Sequence, residues 1–202
     1  MARSRKHYTR REQLIDATLR TIAERGRDNV RVRDIAAEAG VSPGSVLYHY
    51  PELSELMFDA HRTVVERFYR RRVESVEARQ APADQLVAAI ETGLPSGRRD
   101  EVARALYEMH RLADRSSAHA ALMTSLFDRE IGLYATILKV GQSGGEFTLA
   151  RGVQELAGTL VVLEDGLGLH LLSNNTSVDL TQARRMMAGY AQQVTGCELP
   201  IG

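Results

Sequence analysis

The 202-residue sequence contains one cysteine, no tryptophan and only five prolines. The single thiol, Cys197, excludes an intramolecular disulfide and a metal centre built from clustered cysteines. With so few helix breakers among abundant Ala, Leu, Arg and Glu, an all-helical chain is expected. Long uninterrupted apolar runs are also missing. The most apolar stretch, LAGTLVVLEDGLGLHLL, is broken by Glu164 and Asp165, which excludes a membrane span there. The basic opening MARSRKHYTRRE leads into no apolar core, as a secretory signal would require, so a cytoplasmic location is expected. Catalytic signatures are absent too: there is no Gly-rich phosphate loop, nucleophile elbow or HExxH spacing. Glu108 with His110, or Asp165 with His170, could be posed as acid–base pairs, but no motif organises them. No enzymatic activity, cofactor or metal is expected.

What is present is an ordinary globular composition, 44% hydrophobic and 26% charged, with formal net charge zero. The charge is unevenly spread. Residues 1–50 carry ten Lys/Arg against six Asp/Glu, leaving 16 against 20 in the other 152 residues. A basic N-terminal segment on an acidic body is the pattern of a nucleic-acid reader joined to a separate regulatory region.

Three short helices can be read in the first fifty residues. Thr9-Arg10-Arg11-Glu12 has the form of a capping box, and Leu14, Ile15, Leu19, Ile22 and Ala23 follow on one helical face, with Gly26 as the stop. A second helix, about Arg31 to Ala39, buries Val32, Ile35, Ala36 and Ala39 and ends at Gly40. The third opens on Ser42 as N-cap and Pro43 as first helical residue, with Val41 and Val46 placed as a hydrophobic staple. It lasts barely two turns before Pro51. Helix, glycine-containing turn and short helix is helix-turn-helix geometry, in which the second helix enters a major groove about 12 Å wide. Pro43, Gly44 and Ser45 are small enough for close approach to base edges. Tyr48 and His49 carry donors suited to phosphate oxygens, and Arg31 and Arg33 add charge at a helix start where the dipole favours an anion. Tyr50 reads as a core aromatic.

The segment VRVRDIAAEAGVSPGSVLYHYPELSELM resembles the DNA-binding signature of the TetR family of one-component regulators, over roughly residues 9–57. Leu47 stands where members commonly have tyrosine, and Leu53 where many have a phosphate-contacting lysine, so those two contacts do not carry over. The resemblance implies base reading by Pro43, Gly44 and Ser45 and phosphate contacts by Arg33, Ser42, Tyr48 and His49. It also implies a regulator of a double-stranded, palindromic operator, repressing rather than activating until a small-molecule inducer releases it. The residues themselves do not give the sign of the control.

The expected fold is therefore all-α: a helix-turn-helix domain over residues 1–53, then a helical ligand-binding and dimerisation bundle over 54–202. A long helix from Ser54 to about Arg79 has Leu56, Met57, Ala60, Val64, Val65 and Phe68 on its apolar side, with the following RRR facing water. Further helices are expected at about 83–94, 98–115 and 117–141, the last leading into a flexible GQSGG connection. Two final helices, about 148–173 and 181–195 with Thr181 as cap, carry wide apolar stripes. Leu156, Leu160, Leu163, Leu167 and Leu171, then Met187, Tyr190 and Val194, suit a four-helix interface between two copies, or an internal core. The VLEDGLGLHLL segment resembles the C-terminal domain of BetI-type regulators. In the family's architecture the inducer lies inside the body, which makes Phe58, His61, Tyr107, His110, Met123, Phe127, Tyr134 and Asp165 candidate contacts. Charges at Glu164 and Asp165 within so apolar a run need a cationic ligand, an arginine from a partner subunit, or solvent.

Overall fold

The computed structural model describes residues 9–173 and 175–199, which leaves the basic side chains of Arg3, Arg5 and Lys6 outside the described residues. Among the described residues the chain is helical, with nine α-helices and two short 3-10 turns. Helix α1 (Arg10–Arg25) opens on the Thr9–Glu12 capping box and closes at Gly26, whose φ of 73° is a conformation that glycine adopts at little cost. Helix α2 (Val32–Ala39) ends at Gly40 in the left-handed region. Helix α3 (Pro43–His49) starts from Ser42, whose Oγ accepts from Ser45 N–H at 3.2 Å. These three boundaries follow the sequence closely because each is fixed by residues within one turn.

Beyond them come α4 (Leu53–Glu77), α5 (Pro82–Gly93), α6 (Glu101–His110), α7 (Ser117–Ser143), α8 (Val153–Leu172) and α9 (Leu180–Thr195). Several boundaries depart from the sequence reading for identifiable reasons. The helix expected near 148 begins at Val153, because Thr148 N–H donates to Thr195 O at 2.7 Å and Ala150 N–H to Val194 O at 2.9 Å. Those bonds hold the segment extended along the end of α9. The cap of α9 is Asp179, paired with Gln182 in a capping box, and not Thr181. Of the expected flexible connection at 141–145, residues 141–143 are instead the last turn of α7, and Gly144 and Gly145 form the turn that follows it. A Cβ at Gly141 would lie 2.1 Å from the Phe147 ring, and the Glu146 and Phe147 amides both donate to the Gly141 carbonyl. This glycine is there for close packing.

The chain divides into two compact units. One takes in residues up to Glu66 together with Glu101–Leu122, so α6 joins α1–α3 and the first half of α4. The other comprises Arg67–Asp100 and the chain from Met123 onward. In the first unit α1 packs on α2 and α6. Leu14, Ile22, Ile35, Leu56 and Met109 are fully buried. Arg27 N–H donates to the Glu108 carboxylate at 3.1 Å, which ties the turn after α1 to α6. In the second unit Leu86, Ile90, Leu94, Tyr134, Leu138, Leu156, Leu160, Met187 and Ala191 form the core. No helix among the described residues is long and apolar enough to cross a membrane.

Candidate nucleic-acid interface and the buried polar clusters

Helix α3 is short, capped at its start and held at its end by its neighbours. Val46 and Tyr50 are buried beneath it, whereas Tyr48 is 83% exposed. An exposed tyrosine on so short a helix does no packing there, and among the described residues its ring meets His49, edge to face at 5.2 Å. Arg31, Arg33, Ser42, Pro43 and Gly44 are exposed, while Ser45 and His49 are half-buried. A Cβ at Gly44 would approach only Ser42 Oγ, at 3.9 Å, so packing does not require glycine there. All eight sequence-predicted contact residues therefore lie on α3, its cap or the start of α2, with their polar groups at or near the surface.

The far end of α3 is anchored through Tyr50, read from the sequence as core, by contacts to Arg11 and Asp59 that the sequence reading did not foresee. The Arg11 guanidinium donates to the His49 carbonyl at 3.0 Å and stacks over the Tyr50 ring at 4.6 Å. The Tyr50 hydroxyl in turn donates to Asp59 at 2.9 Å. Burial, together with that bond to a carboxylate, pushes the Tyr50 phenol up to about 12. Arg62 pairs with the same Asp59 at 3.0 Å. The supporting helices are laced by surface pairs, Arg20–Glu38 at 2.5 Å and Arg25–Asp34 at 2.8 Å.

The candidate ligand contacts divide between the two units, four in each. In the first, His61 is fully buried and its Nδ1 lies 2.6 Å from Nδ1 of His119, the rings stacked at 4.9 Å. Phe58 meets the His119 ring edge-on. Burial, reinforced by the neighbouring His119 and His110, pulls His61 down to about 4, and burial lowers His119 as well. The pair is thus neutral at physiological pH, one Nδ1–H donating to the other nitrogen. Phe58 and His119 border an open cleft of about 480 Å³ that also meets Arg11, Tyr50, Glu55 and Asp59. Tyr107 is half-buried and His110 is exposed.

In the second unit Met123 is half-buried, and Phe127 and Asp165 are exposed. Tyr134 is fully buried, its hydroxyl hydrogen-bonded to Glu164. Here the structure corrects two expectations. Of the two acids in the apolar run, Glu164 is the buried one, 2% exposed, and its partner is none of those foreseen but Arg72 of the same chain. Arg72 itself, expected to face water within RRR, is 0% exposed. It stands four residues after Phe68 and so continues the buried stripe of α4. Glu130 completes the cluster at 2.6 Å from Arg72. Burial, with Arg72 opposing and Glu164 adding, pushes Glu130 up to about 8, and burial raises Glu164 against the pull of Arg72.

The apolar stripes of α8 and α9 are largely consumed internally. Leu156, Leu160, Leu167, Leu171, Met187 and Val194 are buried in the single chain, while Leu163 and Tyr190 are half-buried. As residues of an interface between copies, the six buried ones are corrected: their side chains fill the core of their own unit. The apolar residues left exposed are Val162, Leu169 and Met186.

Comparison with known proteins agrees with this geometry. Residues 14–59 match the family of bacterial regulatory proteins of the TetR type, and residues 82–196 match the C-terminal domain of BetI-type transcriptional repressors. The chain is 24% identical over 195 residues to the HTH-type transcriptional regulator PksA of Bacillus subtilis, covering 93% of this chain and 91% of that one. It is 32% identical over 87 residues to the regulator BetI of Agrobacterium fabrum, covering 43% and 42% of the two chains. A transcriptional regulator of Saccharomonospora viridis, solved in complex with choline, superposes with a TM-score of 0.83 at 26% identity, over 90% of this chain and 95% of that one. A TetR-family regulator from Rhodococcus sp. gives 0.78 at 25% identity, over 92% and 98%. The chain belongs to the TetR family of bacterial regulatory proteins, with a BetI-type C-terminal domain, and is a transcriptional regulator rather than an enzyme.

Proposed function

We propose that this regulator is a cytoplasmic repressor that binds a palindromic double-stranded operator as a homodimer and is released by a small-molecule inducer. The observation that carries the DNA reading is α3: a capped, seven-residue helix whose exposed face holds Pro43, Gly44 and Tyr48 and does no packing. Pro43, Gly44 and Ser45 read base edges, and Arg31, Arg33, Ser42, Tyr48 and His49 hold phosphates, which fix register without reading sequence. Two copies place their α3 helices one DNA turn apart, about 34–36 Å. The outer faces of α8 and α9 meet in the dimer through Val162, Leu169 and Met186, large apolar side chains that the single chain leaves in water. The inducer binds within the helical body, with Phe58, His61, Tyr107 and His110 the candidate contacts in the first unit and Met123, Phe127, Tyr134 and Asp165 those in the second. The choline in the Saccharomonospora viridis structure supports a small organic molecule as the class.

The test is fluorescence anisotropy with the DNA upstream of the gene, across a salt series, using the wild type, Tyr48→Ala and Arg33→Ala. Affinity should fall steeply with salt as phosphate neutralisation is screened, and each variant should bind about tenfold more weakly with a shallower salt slope. Affinities unchanged in both variants would remove these residues from the interface. Failure to select any sequence from a random library would remove the operator itself.

A further inference from the structure

The second unit builds a cage around the Arg72 guanidinium that has one kind of chemical complement. Glu164 meets it with both oxygens, Oε2 to Nη1 at 2.9 Å and Oε1 to Nη2 at 3.0 Å. Glu130 Oε1 accepts from Nη1 at 2.6 Å, and the Ala89 carbonyl from Nη2 at 3.3 Å. The Phe68 and Tyr134 rings each lie with centroids 5.5 Å from the guanidinium carbon. The Glu164 carboxylate, the acceptor oxygens of Glu130 and Ala89, and the aromatic faces all favour positive charge, and the Tyr134 hydroxyl is already committed to Glu164.

Two further observations distinguish this cage from an ordinary ion pair. First, Arg72 fills it imperfectly: two acidic side chains face one cation, and among the described residues the buried Nε has no hydrogen-bond partner. Second, the cage is shaped by more than its occupant. A Cβ at Gly93 would lie 1.8 Å from Glu164 Oε1, so the bare backbone at the end of α5 makes room for that carboxylate while Tyr134 holds it.

We propose that Arg72 is a tethered ligand: the cage is a binding site for planar guanidinium cations, closed in this chain by its own α4 side chain, and an external cation enters it only in place of Arg72. The guanidinium class follows from the contacts. Three N–H donations within one plane reach Glu164 and Glu130, and a trimethylammonium group such as that of choline has no N–H to offer them. This deepens the proposed ligand-responsive function by naming what one pocket takes and what keeps it shut. Its test uses no DNA, so the operator reading stands or falls separately.

The experiment compares the full-length wild type, Arg72→Ala and Arg72→Ala/Glu164→Gln by calorimetric titration with millimolar methylguanidinium. Tetramethylammonium and sodium chloride serve as comparisons at equal ionic strength. The wild type, in which the cation must displace Arg72, should bind methylguanidinium far more weakly than Arg72→Ala. Arg72→Ala should bind methylguanidinium saturably, about tenfold or more tightly than tetramethylammonium, since a lost charge-assisted hydrogen bond is worth at least that step. Adding Glu164→Gln should abolish the preference. If Arg72→Ala is unfolded, methylguanidinium should restore its helical circular dichroism. Saturation of the wild type with the affinity of the variant, equal binding of the two cations, or an unfolded variant that methylguanidinium does not rescue would each overturn the proposal.

Discussion

The two units of this chain handle polar groups in opposite ways. In the first, most polar contacts are local and near water: Thr9 with Glu12, the Arg31 amide with Asp34, and Ser42 with Ser45 are each three residues apart. In the second, the decisive contacts are buried and remote, with Arg72 reaching Glu130 across 58 positions and Glu164 across 92. Each unit also buries titratable groups, neutral imidazoles in one and a charged cluster in the other. A surface meant to meet phosphates keeps its charges solvated and lightly committed, whereas an interior that fixes one arrangement of three helices can do so with charges that water never screens.

The sharpest way to break this contrast is Arg72→Met, which keeps apolar volume but leaves the buried Glu164 and Glu130 side chains without their cation. It should cost about 3–5 kcal/mol in urea unfolding, against about 0–1 kcal/mol for Arg20→Ala in an exposed pair. Similar losses from the two would show that the buried cluster is electrostatically ordinary. Next comes glycine. Gly93→Ala drives a methyl into the Glu164 carboxylate and should cost about 1–3 kcal/mol. Gly44→Ala should change stability by less than about 0.5 kcal/mol while weakening operator binding, because its space is open to the ligand and not to the core.

Protonation provides a subtler comparison, because the two units should respond to pH in opposite directions. His61, lowered from 6.5 to about 4, refuses in the folded state a proton that the unfolded chain accepts. Its contribution is present above 6.5 and is lost as pH falls from 6.5 toward 4. Glu130, raised from 4.5 to about 8, keeps in the folded state a proton that the unfolded chain releases. Its contribution is present below 4.5 and is lost as pH rises from 4.5 toward 8. Denaturant unfolding over a pH series should show His61→Leu flattening the acid limb and Glu130→Gln the alkaline one. A Glu130→Gln profile parallel to the wild type would show that Glu130 is already ionised throughout.

What the sequence disclosed follows the same division. The helix-turn-helix was legible because its caps, stops and staple lie within a few residues of one another, and Tyr50 reads correctly as core. The Arg72–Glu164 cluster was not, since no local rule links positions 92 residues apart. Its trace was nevertheless present in the periodicity. Leu156, Leu160, Glu164, Leu167 and Leu171 share a stripe that passes Asp165 by, and Arg72 follows Phe68 by four. The sequence reading places RRR in water and leaves Glu164 to a cationic ligand, a partner subunit's arginine or solvent, because periodicity puts a charge on a face without naming what meets it. The capping box at Asp179-Leu180-Thr181-Gln182 was equally readable and was displaced by the neighbouring threonine. The stripes on α8 and α9 were correctly apolar, but periodicity alone does not tell an internal core from an interface between copies.

The bond from the Arg27 amide to Glu108 bears on how this regulator can be cut and recombined. Because α6 packs on α1 from some eighty residues downstream, the DNA-reading head is woven from two stretches of chain and is not a detachable N-terminal cassette. Grafting residues 1–66 onto another sensor would strip α1 of the helix that carries Leu106 and Met109. A working chimera must bring α6 along or supply a substitute that presents the same apolar side chains and a carboxylate where Glu108 stands.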